Sequence, residues 1–349
     1  MDTIKLIEDL SNAFGVSGFE DEIRNVLKEK IEPFMDEVRT DVLGNLIATT
    51  GTGDLKLMLD AHMDEIGFII QHIDNAGFLR FAPIGGWDPR ILLTHAVTIV
   101  TRKGTKVRGV IGAKPPHLLK EEERKKPIPI DEMFIDIGTF SKEEMDELGV
   151  QVGDPATIHY PLEKHRDVVI GKALDDRAGC AVLAQVLEEV SNHDLDLTIV
   201  ANFAIGEEVG LRGARTAAYQ INPDIAIALE GTIGADMPGV PAHKRATTLG
   251  MGPAITVADR SIIVSPKLVQ AIENVAEKEK IPWQYKKPVF GGTDAGAIHL
   301  MRGGILTGVI SVPCRYIHSP LSLMRLDDFE NTVRLVNAFT QQVNKLKLK

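Results

Sequence analysis

The 349-residue sequence has little cysteine and no excess of basic residues. Its two cysteines, Cys180 and Cys314, are too few for a disulfide framework or a metal site built from thiolates. The formal net charge of −10 argues against a nucleic-acid partner, because phosphate binding requires a basic surface. No apolar run is long enough to span a membrane, and the first residues enter a helical pattern without a signal-peptide core. We therefore expect a cytoplasmic protein without nucleic-acid or membrane partners.

The chain is long for a single hydrophobic core, so two domains are expected. Before residue 67 and after residue 163, helical patterns alternate with apolar strands, which is typical of an α/β fold. Between these segments the pattern changes to short strands separated by glycine turns, with one clear helix at residues 141–148. We predict a discontinuous main domain, residues 1–66 and 164–349, and an inserted β-rich domain, residues 67–163.

Histidines and carboxylates recur at the ends of apolar strands of the main domain. In a parallel sheet the carboxyl ends of the strands lie on one edge, so these side chains are expected to converge. Imidazole and carboxylate groups are the usual protein ligands of divalent cations such as zinc. The set exceeds the needs of one metal and indicates two metals that share one carboxylate. Its members are His62, Asp64, Asp175, Glu207, Glu208, Glu230 and His318.

Each of these residues also has a structural interpretation when taken alone. The Asp175-Asp176 pair is placed to cap a helix, His62 could be a core histidine, and Glu207 with Glu208 could begin a helix. If the backbone at these two glutamates is extended, their side chains point to opposite faces. One of them would then bind metal while the other moves a proton. Asp64 is spaced to hold the outer nitrogen of the His62 ring.

Five motifs in order along the chain resemble the M42 metallo-aminopeptidases, the tetrahedral (TET) or glutamyl-aminopeptidase-like family. The motifs are AHMDEIG at 61–67, KALDDR at 172–177, GEEVG at 206–210, GGTDA at 291–295 and RYIHSP at 315–320. The resemblance covers essentially the whole chain, including the β-rich insertion. It implies a zinc-peptidase-like mixed sheet flanked by helices, with the insertion as a PDZ-like dimerisation domain.

The resemblance also implies a ligand set for two zinc or cobalt ions per subunit. His62, Asp175 and Glu230 would hold one ion, and Asp175, Glu208 and His318 would hold the other. Glu207 matches the family's general base, and Asp64 matches the aspartate that orients the histidine. Position 230 departs from the common pattern of the family, in which an aspartate precedes Val-Thr. Glutamate is one methylene longer and can still bind a metal.

The activity implied is removal of N-terminal residues from short peptides by a hydroxide bridged between two metals. Dimers of the family assemble into a hollow tetrahedral homododecamer, and an acidic monomer or dimer fits the composition equally well. Two other functions compete with this interpretation. A catalytically silent metal-stabilised assembly or peptide-binding protein would keep the ligands without needing Glu207. A glycan hydrolase requires carboxyl groups separated by roughly 5 to 9 Å across the sugar bond, which adjacent glutamates provide poorly.

The residue removed from the substrate is not readable from the sequence. The pocket for it is expected between residues 291–295 and the loops near 233–241. Arg315 either favours acidic side chains or pairs with a structural carboxylate, and we expect the second. Cys314 is close to His318 in sequence and is expected to be a half-buried thiol rather than a nucleophile.

Overall fold

The computed structural model describes residues 1–193, 195–287, 290–346 and 348, with the backbone alone at Glu123. The helices are α1 (Thr3–Asn12), α2 (Asp21–Ile31), α3 (Lys142–Leu148), α4 (Leu174–Val190), α5 (Arg212–Ile221), α6 (Pro266–Lys278), α7 (Ala295–Ile298) and α8 (Leu326–Gln342). The strands are β1 (Glu37–Thr40), β2 (Leu46–Thr50), β3 (Lys56–His62), β4 (Gly67–Ile73), β5 (Phe78–Ile84), β6 (Ala96–Val100), β7 (Lys106–Gly112), β8 (Phe134–Asp136), β9 (Pro155–Ile158), β10 (Glu163–His165), β11 (Val168–Gly171), β12 (Thr198–Ala204), β13 (Ile225–Ile233), β14 (Ala254–Thr256), β15 (Gln284–Lys286), β16 (Leu306–Arg315) and β17 (Ser322–Arg325).

A large mixed sheet forms the centre of the molecule, in the order β1-β2-β12-β3-β13-β16-β17-β11-β10. Its four central strands, β12, β3, β13 and β16, are parallel. β17 is antiparallel to both β16 and β11, so β11 runs in the same direction as the central strands. The carboxyl ends of β3, β11, β12, β13 and β16 therefore lie on one edge of the sheet.

Helices cover both faces of this sheet, as expected where parallel strands are buried. Successive residues of β3 show the two faces, because Leu57 and Leu59 pack in one apolar cluster and Met58 packs in another. The first cluster includes side chains of α1, α2, α4, α6 and α8, whereas the second includes α5 and α7. The mixed α/β architecture predicted from the sequence is confirmed.

The segment between the two parts of the large sheet forms a closed barrel with strand order β4-β5-β8-β7-β6-β9. It has its own apolar core, in which Phe68, Ile99 and Ile135 are fully buried. The barrel strands run from Gly67 to Ile158, and the next strand, β10, already pairs with β11 in the large sheet. The β-rich character predicted for this segment is correct, and the domain limits of 67 and 163 stay a prediction.

Several predicted elements have different ends in the structure. The strand expected at 225–229 continues to Ile233, because residues 230–233 keep pairing with β16 as far as Cys314. Glu230 is therefore inside a strand instead of beyond it. Among the described helices, none has both the length and the apolar character needed to cross a bilayer.

Candidate dimetal site

Two histidines and four carboxylates converge at the carboxyl edge of the large sheet. β3 ends at His62, Asp175 follows β11, and Glu230 lies within β13. The Nε2 atom of His62 is 3.5 Å from Asp175 Oδ1 and 3.7 Å from Glu230 Oε2. One ligand atom from each of these three residues lies within 4.8 Å of the others, so the group can hold a metal ion.

A second group of ligands adjoins the first and shares Asp175 with it. His318, in the turn after β16, places Nε2 3.6 Å from Asp175 Oδ2 and 3.4 Å from Glu208 Oε2. Asp175 thus directs one carboxylate oxygen to each histidine. The two groups of candidate ligands therefore share the carboxylate of Asp175.

Glu207 and Glu208 both reach this cluster. An extended backbone would point their side chains to opposite faces, but the backbone is not extended here. β12 ends at Ala204, and the chain turns at these glutamates. Glu207 Oε2 lies 3.9 Å from His62 Nε2, whereas Glu208 contacts His318. The turn brings two adjacent carboxylates to different histidines of one site.

Asp64 connects the His62 ring to the turn that carries the two glutamates. Its Oδ1 is 3.4 Å from His62 Nδ1 and accepts the Glu207 N–H at 3.0 Å. Its Oδ2 accepts the Glu208 N–H at 3.3 Å and the Ser17 hydroxyl at 2.6 Å. The backbone carbonyl oxygen of Asp64 also lies 3.2 Å from His62 Nδ1. Because this carbonyl and the Asp64 carboxylate are hydrogen-bond acceptors, they favour a proton on Nδ1, which leaves the Nε2 lone pair free for a metal.

The two consecutive aspartates after β11 have different structural environments. Asp176 is fully buried and accepts the Gly179 N–H at 2.9 Å, as a helix cap does, and also the His62 N–H at 3.2 Å. Asp175 lies beside the imidazoles of His62 and His318 instead. The capping interpretation therefore holds for Asp176, whereas Asp175 is placed beside both histidines and stays a candidate ligand.

The inserted barrel segment reaches the site through Gly86, which follows β5. The Nδ1 atom of His318 is 3.1 Å from the Gly86 carbonyl oxygen, so its proton is donated there and Nε2 faces the carboxylates. A Cβ atom at position 86 would lie 3.2 Å from His318 Nδ1. His318 is 41% exposed, and among the described residues the Gly86 carbonyl is the hydrogen-bond partner of its Nδ1.

Burial and mutual repulsion weaken the acidity of these carboxyl groups. Burial, followed by the charge of Asp175, raises the pKa of Glu207 to about 7 against the opposing effect of His62. Burial raises the pKa of Glu208 and of Glu230 well above the usual range, with further contributions from neighbouring aspartates. No lysine or arginine of the described residues forms an ion pair with these glutamates. Bound cations would supply the missing positive charge, so the donor set fits divalent metals.

Comparison with known proteins identifies the family of this chain. A model of the M42 glutamyl aminopeptidase family matches residues 44–335. The chain belongs to the M42 peptidase family. The lysyl aminopeptidase of Pyrococcus furiosus is 36% identical over 348 residues, with 98% of each chain covered. The family resemblance found in the sequence is confirmed.

Solved structures of M42 relatives have the same fold over nearly the whole chain. A TET aminopeptidase from a marine sediment archaeon of the Thaumarchaeota matches with a TM-score of 0.95 at 40% identity, covering 98% of this chain and 96% of that one. The TET1 peptidase of Pyrococcus horikoshii, which can assemble into a tetrahedron or a large octahedral shell, matches with a TM-score of 0.88 at 36% identity. That match covers 97% of this chain and 99% of the other.

A cavity of about 680 Å³ opens next to the ligand cluster of this M42 peptidase. It is lined by both predicted pocket segments, including Gly291 and Thr293 from one and Ile233 and Met237 from the other. Arg315 does not line it. Arg315 forms a two-pronged ion pair with Asp236 at 2.6 and 2.7 Å, so the expectation that it pairs with a structural carboxylate is correct.

Asp60, Asn202 and Asp294 are three buried polar residues near the ligands that the sequence analysis did not predict as site residues, although Asp294 lies in the GGTDA motif. Asp60 lies in β3 and accepts a hydrogen bond from Asn202 of β12 at 2.6 Å. Asp294 is also buried, and its backbone N–H donates to Glu230 Oε1 at 3.3 Å. Burial raises the pKa of Asp60 to about 6 and, together with the Asp60 charge, raises that of Asp294 well above the usual range. The sequence signal that could have identified Asp60 is its position as the one charged residue in the apolar run 57–61.

The prediction that Cys314 is a half-buried thiol is wrong about the extent of burial. Cys314 is fully buried within β16 instead of half-buried, because that strand extends to Arg315. Burial raises the pKa of the Cys314 thiol well above its usual value, and the nearby carboxylates add to this effect. An inaccessible neutral thiol does not act as a nucleophile.

Proposed function

We propose that this M42 peptidase is a metal-dependent aminopeptidase that removes N-terminal residues from short peptides. The observation that carries the proposal is the placement of Asp175 between His62 and His318, with one carboxylate oxygen directed to each ring. Two divalent ions, zinc or cobalt, would be held by the two groups that share this carboxylate. The first group is His62, Asp175 and Glu230, and the second is Asp175, Glu208 and His318.

Divalent ions in such a site lower the pKa of bound water and polarise a carbonyl oxygen. Glu207 is the group of this chain that moves the proton. Its carboxylate takes a proton from the attacking water as the water oxygen bonds to the scissile carbonyl carbon. The same proton then passes to the leaving amine when the C–N bond breaks.

The surrounding residues support this assignment by positioning. Asp64 accepts the N–H groups of Glu207 and Glu208, so one buried carboxylate holds both the base and a metal ligand. An aminopeptidase requires a free N-terminal amine, so acetylated peptides should be poor substrates.

Self-association and location are part of the proposal. The barrel strands are proposed as the dimerisation module, and dimers as the units of a tetrahedral homododecamer in the cytoplasm. The assembly described for the Pyrococcus horikoshii relative supports this arrangement. Sedimentation of the purified protein tests it, because a dodecamer of 38.2 kDa chains is easily separated from a dimer.

Hydrolysis of aminoacyl chromogenic substrates and short peptides tests the activity. Metal-free protein is reconstituted with zinc or cobalt and assayed beside N-acetylated peptides and a soluble cellulose. Turnover of free-amine substrates that is lost with chelator and restored by metal supports the proposal. Absence of peptide turnover with two metals bound per chain would favour a silent assembly instead.

Glu207→Gln separates catalysis from metal binding. We expect turnover to fall by about 10²- to 10⁴-fold, the usual contribution of a positioned acid–base group. Metal content should stay at the wild-type level, because Glu207 is outside the two proposed ligand groups. Glu330→Gln removes the same charge at an exposed position and serves as the matched control. Full activity of the Glu207 variant with its metals bound would refute the assigned role.

A further inference from the structure

Glu65 is a buried carboxylate near the ligand cluster that the proposed mechanism does not use. It is 2% exposed and lies three residues after His62 in the sequence. Its two oxygens accept hydrogen bonds from the Lys172 ammonium at 2.7 and 2.9 Å. Its Oε1 atom also accepts one from the Arg177 guanidinium at 3.4 Å. Both cations are buried as well, so these three residues form an ionic cluster inside the protein, the Glu65 cluster.

The two cations of the Glu65 cluster lie on either side of Asp175 in the sequence. Lys172 follows the end of β11, and Arg177 lies in the first turn of α4. Asp175, the candidate ligand common to both groups, is therefore in a short segment that one carboxylate holds at both ends. Because only two residues separate Glu65 from His62, the same contacts place this segment relative to His62.

The remaining hydrogen bonds of the Glu65 cluster connect it to α1 and to the barrel. The Ala13 carbonyl, at the C-terminal end of α1, accepts from Lys172 at 3.0 Å and from Arg177 at 3.2 Å. Thr157 of β9 donates to Glu65 Oε2 at 2.9 Å. The cluster carries one net positive charge, and the partial negative charge at the end of α1 offsets it.

Stability alone is a weak explanation for a buried ionic cluster. Removing charges from water is costly, and well-packed apolar side chains of similar volume often stabilise a protein equally well or better. Charged groups provide short, directional hydrogen bonds, which apolar side chains do not. A need to place segment 172–177 accurately therefore accounts for the charges better than a need for stability.

We propose that Glu65 is a positioning residue that sets the place of Asp175 relative to His62, so that one carboxylate can bind two metal ions. The inference rests on the dimetal site of the proposed function and adds the residue that organises its shared ligand. Because Asp175 belongs to both ligand groups, a change at Glu65 should weaken both metal positions together. Loss of a ligand that belongs to one group should affect one position.

Zinc binding to Glu65→Gln tests the inference, because glutamine keeps the shape of the side chain and removes its charge. Competition with a chromophoric chelator gives the affinity of each ion without relying on turnover. We expect the affinity for both zinc ions to fall by about 10- to 100-fold, the range typical of residues that orient metal ligands. His318→Ala is the comparison, since it removes a ligand of the second group and should lose one ion.

Two controls separate positioning from general loss of stability. Leu335→Ala removes a fully buried side chain of α8, so it destabilises the fold away from segment 172–177 and should bind two zinc ions with wild-type affinity. Urea unfolding of the metal-free proteins shows how far each variant is destabilised. Thr157→Val removes one neutral hydrogen bond to Glu65 and leaves both ion pairs, so its zinc affinity should stay close to the wild-type value.

Lys172→Met provides a second test if Glu65→Gln does not fold. It leaves Glu65 paired with Arg177 and releases one end of the segment, so both zinc affinities should again fall. Wild-type zinc affinity in a folded Glu65→Gln or Lys172→Met protein would overturn the inference. Loss of one ion alone would also overturn it, because Asp175 would then still serve the other position.

The same titration distinguishes this inference from the function on which it rests. A wild-type protein that binds two zinc ions and hydrolyses no free-amine peptide would overturn the aminopeptidase activity and leave the role of Glu65 to be decided by the variants. A wild-type protein that binds no zinc or cobalt would overturn the dimetal site, and the role of Glu65 with it.

Discussion

Asp64 accepts three hydrogen bonds in a fully buried position, which makes Asp64→Asn a precise test of how the site is held together. An asparagine has one acceptor oxygen and one amide donor in place of two acceptors. If its oxygen occupies the Oδ1 position, the amide faces the Glu208 N–H. If it occupies the Oδ2 position, the amide faces the Glu207 N–H and the His62 ring.

In either orientation one backbone N–H of the turn loses its acceptor. A buried donor left without a partner costs about 1–3 kcal/mol of folding free energy. The same change releases the turn that carries Glu207 and Glu208. Substitutions of residues that orient metal-binding histidines typically lower metal affinity or activity by about 10- to 100-fold. We expect Asp64→Asn to fall in both ranges.

Three measurements on the same samples check this expectation: urea unfolding, metal content after dialysis, and kcat/KM on the preferred aminoacyl substrate. Ser17→Ala is the matched control, because it removes one of the three donors and leaves the carboxylate intact. It should cost about 1 kcal/mol, the typical net value of one hydrogen bond, and retain most of the activity. Wild-type metal content and turnover in Asp64→Asn would show that the turn does not depend on Asp64.

Other perturbations test separate parts of the structure. Burial raises the pKa of Glu20 to about 7, so its carboxyl binds a proton more tightly in the folded protein, and its contribution to stability is lost as pH rises from about 4.5 to 7. Glu20→Gln should therefore gain stability relative to wild type over that interval, and parallel denaturation curves at pH 4.5 and pH 7.5 with an unchanged difference would contradict this. Leu183→Ala removes a fully buried side chain of α4 and should destabilise the protein by about 2–5 kcal/mol, whereas Leu300→Ala at a 66% exposed position should change it by less than about 0.5 kcal/mol. Gly86→Ala places a Cβ atom 3.2 Å from His318 Nδ1 and should reduce the bound metal toward one ion per chain, as measured by elemental analysis; full occupancy would show that the ring adjusts without loss.

Much of the site could be predicted because local sequence patterns determine where strands end. The apolar run 57–61 predicts a buried strand, and a parallel sheet aligns the carboxyl ends of such strands, which brings His62, Glu208 and His318 to one edge. The shared position of Asp175 depended on the family resemblance. The positions of the strand ends are enough to locate the site, but they do not show which atom of each residue contributes to it.

Contacts between distant segments could not be predicted in the same way. Ser17 and Asp64 are 47 residues apart, and Gly86 and His318 are 232 residues apart, so no periodicity connects them. Lys286, which lines the cavity, lies in a three-residue strand that has no detectable pattern of its own.

The hydrogen bond between His318 and the Gly86 carbonyl has a consequence for how the protein matures. The barrel strands and the large sheet are separate packing units, each with its own apolar core. All three residues of the second ligand group lie outside the barrel, but the ring of His318 donates its hydrogen bond to a carbonyl that follows β5. Occupancy of the proposed second metal position is therefore expected to depend on docking of the barrel against the large sheet. A chain with only one of them folded would hold fewer ions and could be recognised by that deficit.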